Sequence, residues 1–136
     1  MHIRIATDED LQSLTPLFDE YRKSLGQDSR LAACKEFIEY RLQENDSVIF
    51  IAFLVDVPVG FIQLYPSFSS LLLKSLWYFD DLFVAEPYRK RGIGTELVKK
   101  AKELADETQV LAVRREKIEG DGFLPIDTLA LFESKL

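Results

Sequence analysis

The spacing of apolar residues changes several times along this chain, and each change marks an element. Residues 2–6 alternate apolar and polar, the period of a strand. From Asp8 the period becomes helical, with Leu11, Leu14, Leu17, Phe18 and Tyr21 on one face and Gly26 as the stop. Asp8 is the expected N-cap, and Asp10 stands in the first turn, where a carboxylate meets the positive end of the helix dipole. A second helix is expected over about 29–42, with Leu31, Cys34, Phe37, Ile38 and Leu42 on its stripe. Residues 47–55 and 57–64 are dense in Val, Ile and Phe; with Asp56 between them and Pro58 and Gly60 nearby, they predict a hairpin.

Composition makes 65–70 a loop, and a long strand follows over about 73–84. After Pro87 an amphipathic helix is predicted over 93–108, turning Ile93, Leu97, Val98, Ala101, Leu104 and Ala105 inward. Residues 109–116 read as one more strand, Gly120-Asp121-Gly122 as a turn, and Pro125 as the start of a final helix. The order β-α-α-β-β-β-α-β-α predicts an α/β fold whose front half is mostly antiparallel. No repeat or linker divides the chain, so residues 1–136 are expected to form a single domain.

Composition narrows the chemistry. With 47% hydrophobic and 29% charged residues, disorder is a poor reading. A net charge of −6 opposes general nucleic-acid binding, which needs clustered Lys and Arg, and gives a weak long-range pull on cationic substrates. Cys34 is the only cysteine and His2 the only histidine, so an intrachain disulfide, a thiolate cluster, a His-based metal site and a Ser-His-Asp triad are all excluded. No metal is expected. Carboxylates, tyrosines, lysines, backbone groups or a bound cofactor remain. No run approaches the roughly 20 apolar residues of a membrane span, and Met1-His2-Ile3-Arg4 does not begin a signal peptide. A cytoplasmic protein without membrane or nucleic-acid partners is the expectation.

One junction stands out. The strand ending Asp80-Asp81-Leu82-Phe83-Val84 passes through Glu86-Pro87-Tyr88 into Arg89-Lys90-Arg91-Gly92-Ile93-Gly94-Thr95, which opens a helix. Such a junction directs unpaired backbone N–H groups and a helix dipole at one spot, an anion site. Gly92 and Gly94 let a phosphate approach the backbone closely, and Arg89, Lys90 and Arg91 stand beside it. A diphosphate is the natural guest. The pattern GxxxxGK[ST] is absent and GxGxxG is incomplete, which argues against the common nucleotide and dinucleotide loops.

The run from Leu82 to Leu97, Leu-Phe-Val-Ala-Glu-Pro-Tyr-Arg-Lys-Arg-Gly-Ile-Gly-Thr-Glu-Leu, closely resembles the coenzyme A motif of the GNAT superfamily of N-acetyltransferases. The likeness extends through the order of elements over roughly residues 1–110. It implies a GNAT-like acyl-CoA N-acyltransferase fold, a mixed but mostly antiparallel twisted sheet flanked by helices, and acetyl-CoA as acyl donor. It implies that Arg89, Lys90, Arg91, Gly92, Ile93, Gly94 and Thr95 form the pyrophosphate loop, with the backbone amides from about Arg91 to Thr95 as its donors. Leu82, Phe83 and Val84 are implied to pair by backbone with the pantetheine arm. The preceding strand is implied to carry a bulge and splay from its neighbour, and a backbone N–H near residues 82–84 to meet the thioester carbonyl.

Direct transfer to an amine needs a base. Asp81 is the first candidate and Asp80 the second; being adjacent on a strand, only one can face the acceptor unless a bulge intervenes. Glu20, Tyr21, Tyr65 and Phe68 are candidate lining of the acceptor pocket, although Tyr21 reads more readily as core or half-buried than as functional. Cys34, Trp77 and Phe79 read as packing.

The resemblance weakens after residue 110. Leu124 and Phe132 stand where the family commonly has a cofactor-contacting Asn and a proton-donating Tyr, and the sequence ends at Leu136, before the closing strand pair. An open sheet edge is then expected, and a homodimer that covers it. The leading expectation is an N-acetyltransferase acting on a primary amine of a small molecule or peptide. The alternatives are a diverged GNAT domain that binds CoA or dimerises without turnover, and an unrelated nucleotide-binding regulatory domain.

Overall fold

A computed structural model describes residues 1–70, 73–108 and 111–114. Five strands lie in sequence order: β1 (His2–Ile5), β2 (Val48–Leu54), β3 (Val57–Ser69), β4 (Lys74–Val84) and β5 (Leu111–Arg114). Neighbours are antiparallel except β4 and β5, which run parallel. Helices α1 (Leu11–Ser24) and α2 (Leu31–Glu44) precede the β2–β3 hairpin, and α3 (Ile93–Thr108) joins β4 to β5.

Strand alternation divides the core into two layers. Ile49 and Ile51 of β2 and Phe61 of β3 pack with Leu14, Leu17 and Phe18 of α1 and Ile38 of α2. Their sequence neighbours Phe50, Ala52 and Ile62 face the other way, onto Ile93, Leu97 and Ala101 of α3. The inward stripe expected for α3 is observed, with Ile93, Leu97, Ala101 and Ala105 buried and Val98 and Leu104 half-buried. At the hairpin, Val55 and Asp56 both have positive φ, as a two-residue turn matching the strand twist requires.

Three local expectations are corrected. The first helix is capped by Thr7, not Asp8: Thr7 forms a capping box with Asp10, and one 3-10 turn over Asp8–Asp10 precedes α1. Asp10 is held because its carboxylate also takes both guanidinium arms of Arg4, at 2.7 and 2.8 Å. Residues 65–69 are strand, paired from Tyr65 opposite Tyr78 to Ser69 opposite Lys74. Composition misled there because β2 reaches only Leu64, so β3 becomes an edge on that side, where Pro66 is tolerated. On α2, Leu31 (52% exposed) and Phe37 (46%) leave the expected stripe, and Cys34 and Ile38 alone are buried. The expected final helix, Leu124, Phe132 and the sheet edge beyond β5 lie outside the described residues.

One irregularity positions the site. Gln63 pairs with Asp81, but Leu64 pairs with Phe79, so Asp80 is an extra residue in β4. The bulge reverses the parity of the strand. Phe79 belongs to the α3 side, whereas Phe83, four residues on, belongs to the α1–α2 side. Asp81 therefore also faces the α1–α2 layer.

Candidate active site

Beyond the bulge, the two edges of β4 differ. On one edge the ladder with β3 continues through Ile62–Leu82, Phe61–Phe83 and Gly60–Val84. Gly60 is required there, since a Cβ would lie 2.6 Å from the Phe83 carbonyl oxygen. The Ala85 N–H donates to Val59 C=O at 2.8 Å, so by alternation Phe83 also turns its backbone groups toward β3. Leu82 and Val84 then turn theirs to the opposite edge. Among the described residues β5 pairs only with Leu76 to Phe79, so no strand covers that edge at 82–84.

The loop that follows is braced by its own side chains. Arg89 Nε donates to the Val84 carbonyl at 2.7 Å, and its guanidinium lies 5.5 Å from the Phe83 ring centroid. Arg91 lies 5.7 Å from the ring centroid of Tyr88. Gly92 has φ +82°, and a Cβ built there meets nothing within 4 Å; at Gly94 it meets only Val84 Cγ2, at 3.9 Å. The first bond inside α3 runs from Glu96 N–H to Gly92 C=O at 3.0 Å. The N–H groups of Ile93, Gly94 and Thr95 thus precede the helical ladder at the positive end of a 16-residue helix.

On the α1–α2 face lies a cavity of about 380 Å³, a size suited to a small molecule. Its floor is sheet, with Asp81 from β4 and Gln63 and Tyr65 from β3. Its walls are helical, from Phe18, Tyr21 and Arg22 on one side to Arg30, Cys34 and Phe37 on the other. Each oxygen of the Asp81 carboxylate accepts a phenol proton, from Tyr21 at 2.8 Å and from Tyr65 at 2.7 Å. Burial first, and then the charge of Asp81, push both phenols far above the ordinary tyrosine range. They stay protonated at any working pH and serve as fixed donors. A carboxylate offers about four lone-pair sites, so Asp81 can still accept from a guest. Beside it, the Gln63 side chain donates to Ser47 Oγ at 3.0 Å, while its buried Oε1 has no hydrogen-bond partner among the described residues.

The wall is held from below by Asp19. Its carboxylate accepts from Ser29 Oγ and from the Arg30 N–H, both at 2.7 Å, bonds that hold it below the ordinary carboxylate range. Burial, then the charge of Asp19, raise the Cys34 thiol, so Cys34 is not a thiolate nucleophile at neutral pH.

The chain matches the acetyltransferase (GNAT) family over residues 11–116. It belongs to that family. It is 39% identical over 107 residues to the uncharacterized N-acetyltransferase YhfO of Bacillus subtilis, covering 79% of this chain and 72% of that protein. A probable acetyltransferase of Haemophilus influenzae is 37% identical over 103 residues, 74% of this chain and 69% of that one. The crystal structure of a probable acetyltransferase superposes with a TM-score of 0.81 at 40% identity, over 89% of this chain and 82% of that one. The resemblance read from residues 82–97 and the GNAT-like α/β fold are thereby borne out, and the protein is an acyltransferase of the acetyl-transferring class.

Within this GNAT domain the candidate residues do not all share one place. Leu82, Phe83 and Val84 and the loop from Arg89 to Thr95 form one continuous strand-to-helix surface. Asp81, Tyr21 and Tyr65 meet in the cavity, while the Asp80 carboxylate is on the exposed bulge. Glu20 and Phe68 are elsewhere: Glu20 lines a separate groove with Pro16, Pro58 and Tyr88, and Phe68 is 82% exposed near the end of β3. Sequence reasoning passed over Gln63, Arg22 and Arg30. A glutamine within the apolar run 57–64 was a readable signal; the arginines flank a helix connection and carried none. Among the described residues, no group of three His, Cys, Asp or Glu could hold a metal ion, and no helix is long and apolar enough to cross a membrane.

Proposed function

We propose that this protein transfers the acetyl group of acetyl-CoA directly to a primary amine of a small molecule, with Asp81 as the group that receives the amine proton. The observation that carries this reading is the Asp81 carboxylate, fixed by Tyr21 and Tyr65 on the floor of a cavity, one residue from the bulge where β4 begins its uncovered edge.

The loop fits a diphosphate. Three N–H groups precede the α3 ladder, Gly92 and Gly94 leave room for an anion against the backbone, and Lys90 and Arg91 add charge. Gly92, Ile93, Gly94 and Thr95 would hold the pyrophosphate, and the outward backbone groups of Leu82 and Val84 the pantetheine arm. Acetyl-CoA bound there supplies an activated acyl group as a thioester.

The chain's own residues then perform three tasks. The cavity walls exclude water around the amine, which Phe18 and Phe37 favour. Asp81 orients an incoming ammonium through its remaining lone pairs and takes one proton, directly or through a water, leaving a neutral amine. The amine nitrogen forms the new C–N bond as the C–S bond breaks, and its second proton leaves with the thiolate as free thiol. Backbone N–H groups at the open edge of residues 82–84 are the donors available to the carbonyl oxygen.

Release of free CoA thiol, measured with acetyl-CoA across a panel of small primary amines, tests the reading. Turnover that is lost in Asp81→Asn while acetyl-CoA still binds supports it. Turnover undiminished in Asp81→Asn rejects the role of Asp81. Calorimetric binding of acetyl-CoA with no amine acetylated leaves a CoA-binding domain without transfer.

A further inference from the structure

The cavity carries charge that a plain amine acceptor does not explain. The chain is acidic, at net −6, yet two guanidinium groups and one carboxylate line this space. Arg22 stands on α1, one residue after Tyr21, with Nη1 donating to the Asp28 carbonyl at 3.0 Å. That bond ties the side chain to the α1–α2 connection, beside Cys34. Arg30 begins the opposite wall, and its guanidinium makes no hydrogen bond or ion pair among the described residues. A third cation, Arg41, is close enough to act on Tyr65, although Asp46 faces it at 3.2 Å. Asp19 lies beneath the same wall, but Ser29 and the Arg30 backbone occupy its oxygens. Helix α2 starts between these groups with no side-chain cap, and Ala33 and Cys34 of its first turn line the cavity. The helical wall therefore presents positive charge and the positive end of the α2 dipole.

The floor presents the opposite chemistry. Gln63 and Asp81 are cross-strand partners, so their side chains stand next to each other on one face. Gln63 Oε1 is a fully buried acceptor without a partner, and Asp81 retains lone pairs after both phenols are counted. An unpaired buried acceptor costs free energy until a donor reaches it, and an ammonium placed between Gln63 and Asp81 serves both. A diamine or polyamine would satisfy the floor and meet two arginines at the wall, which disfavours it.

We propose that the acceptor is a small zwitterion of the amino-acid type, its ammonium held between Gln63 Oε1 and Asp81 and its carboxylate turned to Arg30, Arg22 and the start of α2. This deepens the acetyl-transfer reading and rests on it for turnover, while binding stands alone. The product keeps its carboxylate and exchanges its ammonium for an N-acetyl amide, with CoA thiol and one proton released.

The test is a matched panel of glycine, β-alanine, γ-aminobutyrate and leucine, each beside its amide, with putrescine as the diamine. Turnover by thiol release is measured with acetyl-CoA, and binding by calorimetry without it. At least one free acid is expected to exceed its own amide by about tenfold in kcat/KM, the worth of one charge-assisted contact. Arg30→Ala should erase that preference through KM with kcat nearly unchanged, and Arg30→Glu should shift the preference toward putrescine. Arg30 suits the test because, among the described residues, the fold uses only its backbone, the N–H donating to Asp19 and the C=O accepting from the Cys34 N–H. Amides or putrescine preferred by the wild-type protein overturn the zwitterion and leave acetyl transfer standing. Acids that bind more tightly than their amides, with no amine acetylated, keep the zwitterion site and overturn acetyl transfer. If nothing in the panel binds or reacts, both are rejected.

Discussion

The two halves of this site are built from different material. As proposed, the strand-to-helix surface at residues 82–95 offers backbone: outward amides of Leu82 and Val84, the N–H groups opening α3, and space where Gly92 and Gly94 carry no side chain. The α1–α2 cavity offers side chains from three elements and a connection, Tyr21 on α1, Arg30 before α2, Gln63 and Tyr65 on β3 and Asp81 on β4. A backbone device needs a fixed local geometry, so it is written as a contiguous motif and is shared across a family. A side-chain device needs only that distant positions converge, so it can change its guest by a few substitutions while the fold stays constant. The bulge at Asp80 joins the halves, because it sets the parity that turns Asp81 into the cavity while Phe83 keeps its ladder to β3.

If that division holds, substitutions in one half should leave the other's function unchanged. The largest expected effect is on the cavity side. Asp81→Asn removes the proposed proton acceptor but keeps the size of the side chain, and kcat/KM should fall by about 10²–10⁴-fold, the usual worth of a positioned base. Acetyl-CoA affinity measured by calorimetry should not change. A parallel loss of affinity would mean that the two halves are one device.

Gly92→Ala probes the other half. A new Cβ there meets no protein atom, so crowding falls on the bound anion, and acetyl-CoA affinity should weaken by about tenfold, roughly one lost hydrogen bond to a charged group. The positive φ of +82° adds about 1–2 kcal/mol of strain, seen separately as a lower melting temperature. Acceptor KM at saturating acetyl-CoA should be unaffected. Wild-type affinity in the alanine variant would remove the loop as the diphosphate site.

The same division explains what could be read from sequence. Residues 82–97 were legible because strand, turn, glycines and helix lie in one run, and the alternation of β2 and the stripe of α3 were legible because burial follows strand and helix periods. Asp81 ranks ahead of Asp80 on sequence, but which of the two faces the cavity depends on a bulge that leaves no mark in residue type. Tyr65 reaches the pocket from a strand, not from the loop that composition predicts, because its pairing with Tyr78 carries β3 on. Glu20 and Phe68 were misplaced because spacing along α1 and proximity to Tyr65 cannot say which groove a side chain enters. Arg22 and Arg30 look like any surface arginines until the α1–α2 connection brings them together over the sheet.

Finer substitutions sharpen the account of the cavity. Tyr65→Phe deletes a 2.7 Å bond to one oxygen of Asp81, and Tyr21→Phe a 2.8 Å bond to the other. Each should lower kcat/KM by about 3–10-fold, matching a net hydrogen-bond worth of roughly 0.5–1.5 kcal/mol. Because both act through one carboxylate, the double variant should depart from the product of the single effects, as residues sharing a partner do. Strict multiplicativity would mean that the tyrosines line the cavity without positioning Asp81.

The smallest effect near neutrality, and one confined to stability, is acidification. Asp10 and Asp19 both titrate below the ordinary 3.8, the first chiefly through its hydrogen bonds with Arg4, the second through those from Ser29 and the Arg30 N–H. A lowered folded pKa means that the folded state takes up the proton later than the unfolded chain does. The stabilisation is therefore complete above about pH 4, and it is lost as pH falls below 3.8 through the lowered values. Asp10 holds the start of α1 and Asp19 ties α1 to the start of α2, so both losses fall on the cavity wall and neither on the β4–α3 loop. Hydrogen exchange between pH 5 and pH 3, corrected for the intrinsic rate, should show α1 and α2 losing protection before α3. Simultaneous loss in all three helices would mean that the wall and the loop open as one unit, and that the independence of the two halves is chemical and does not extend to their stability.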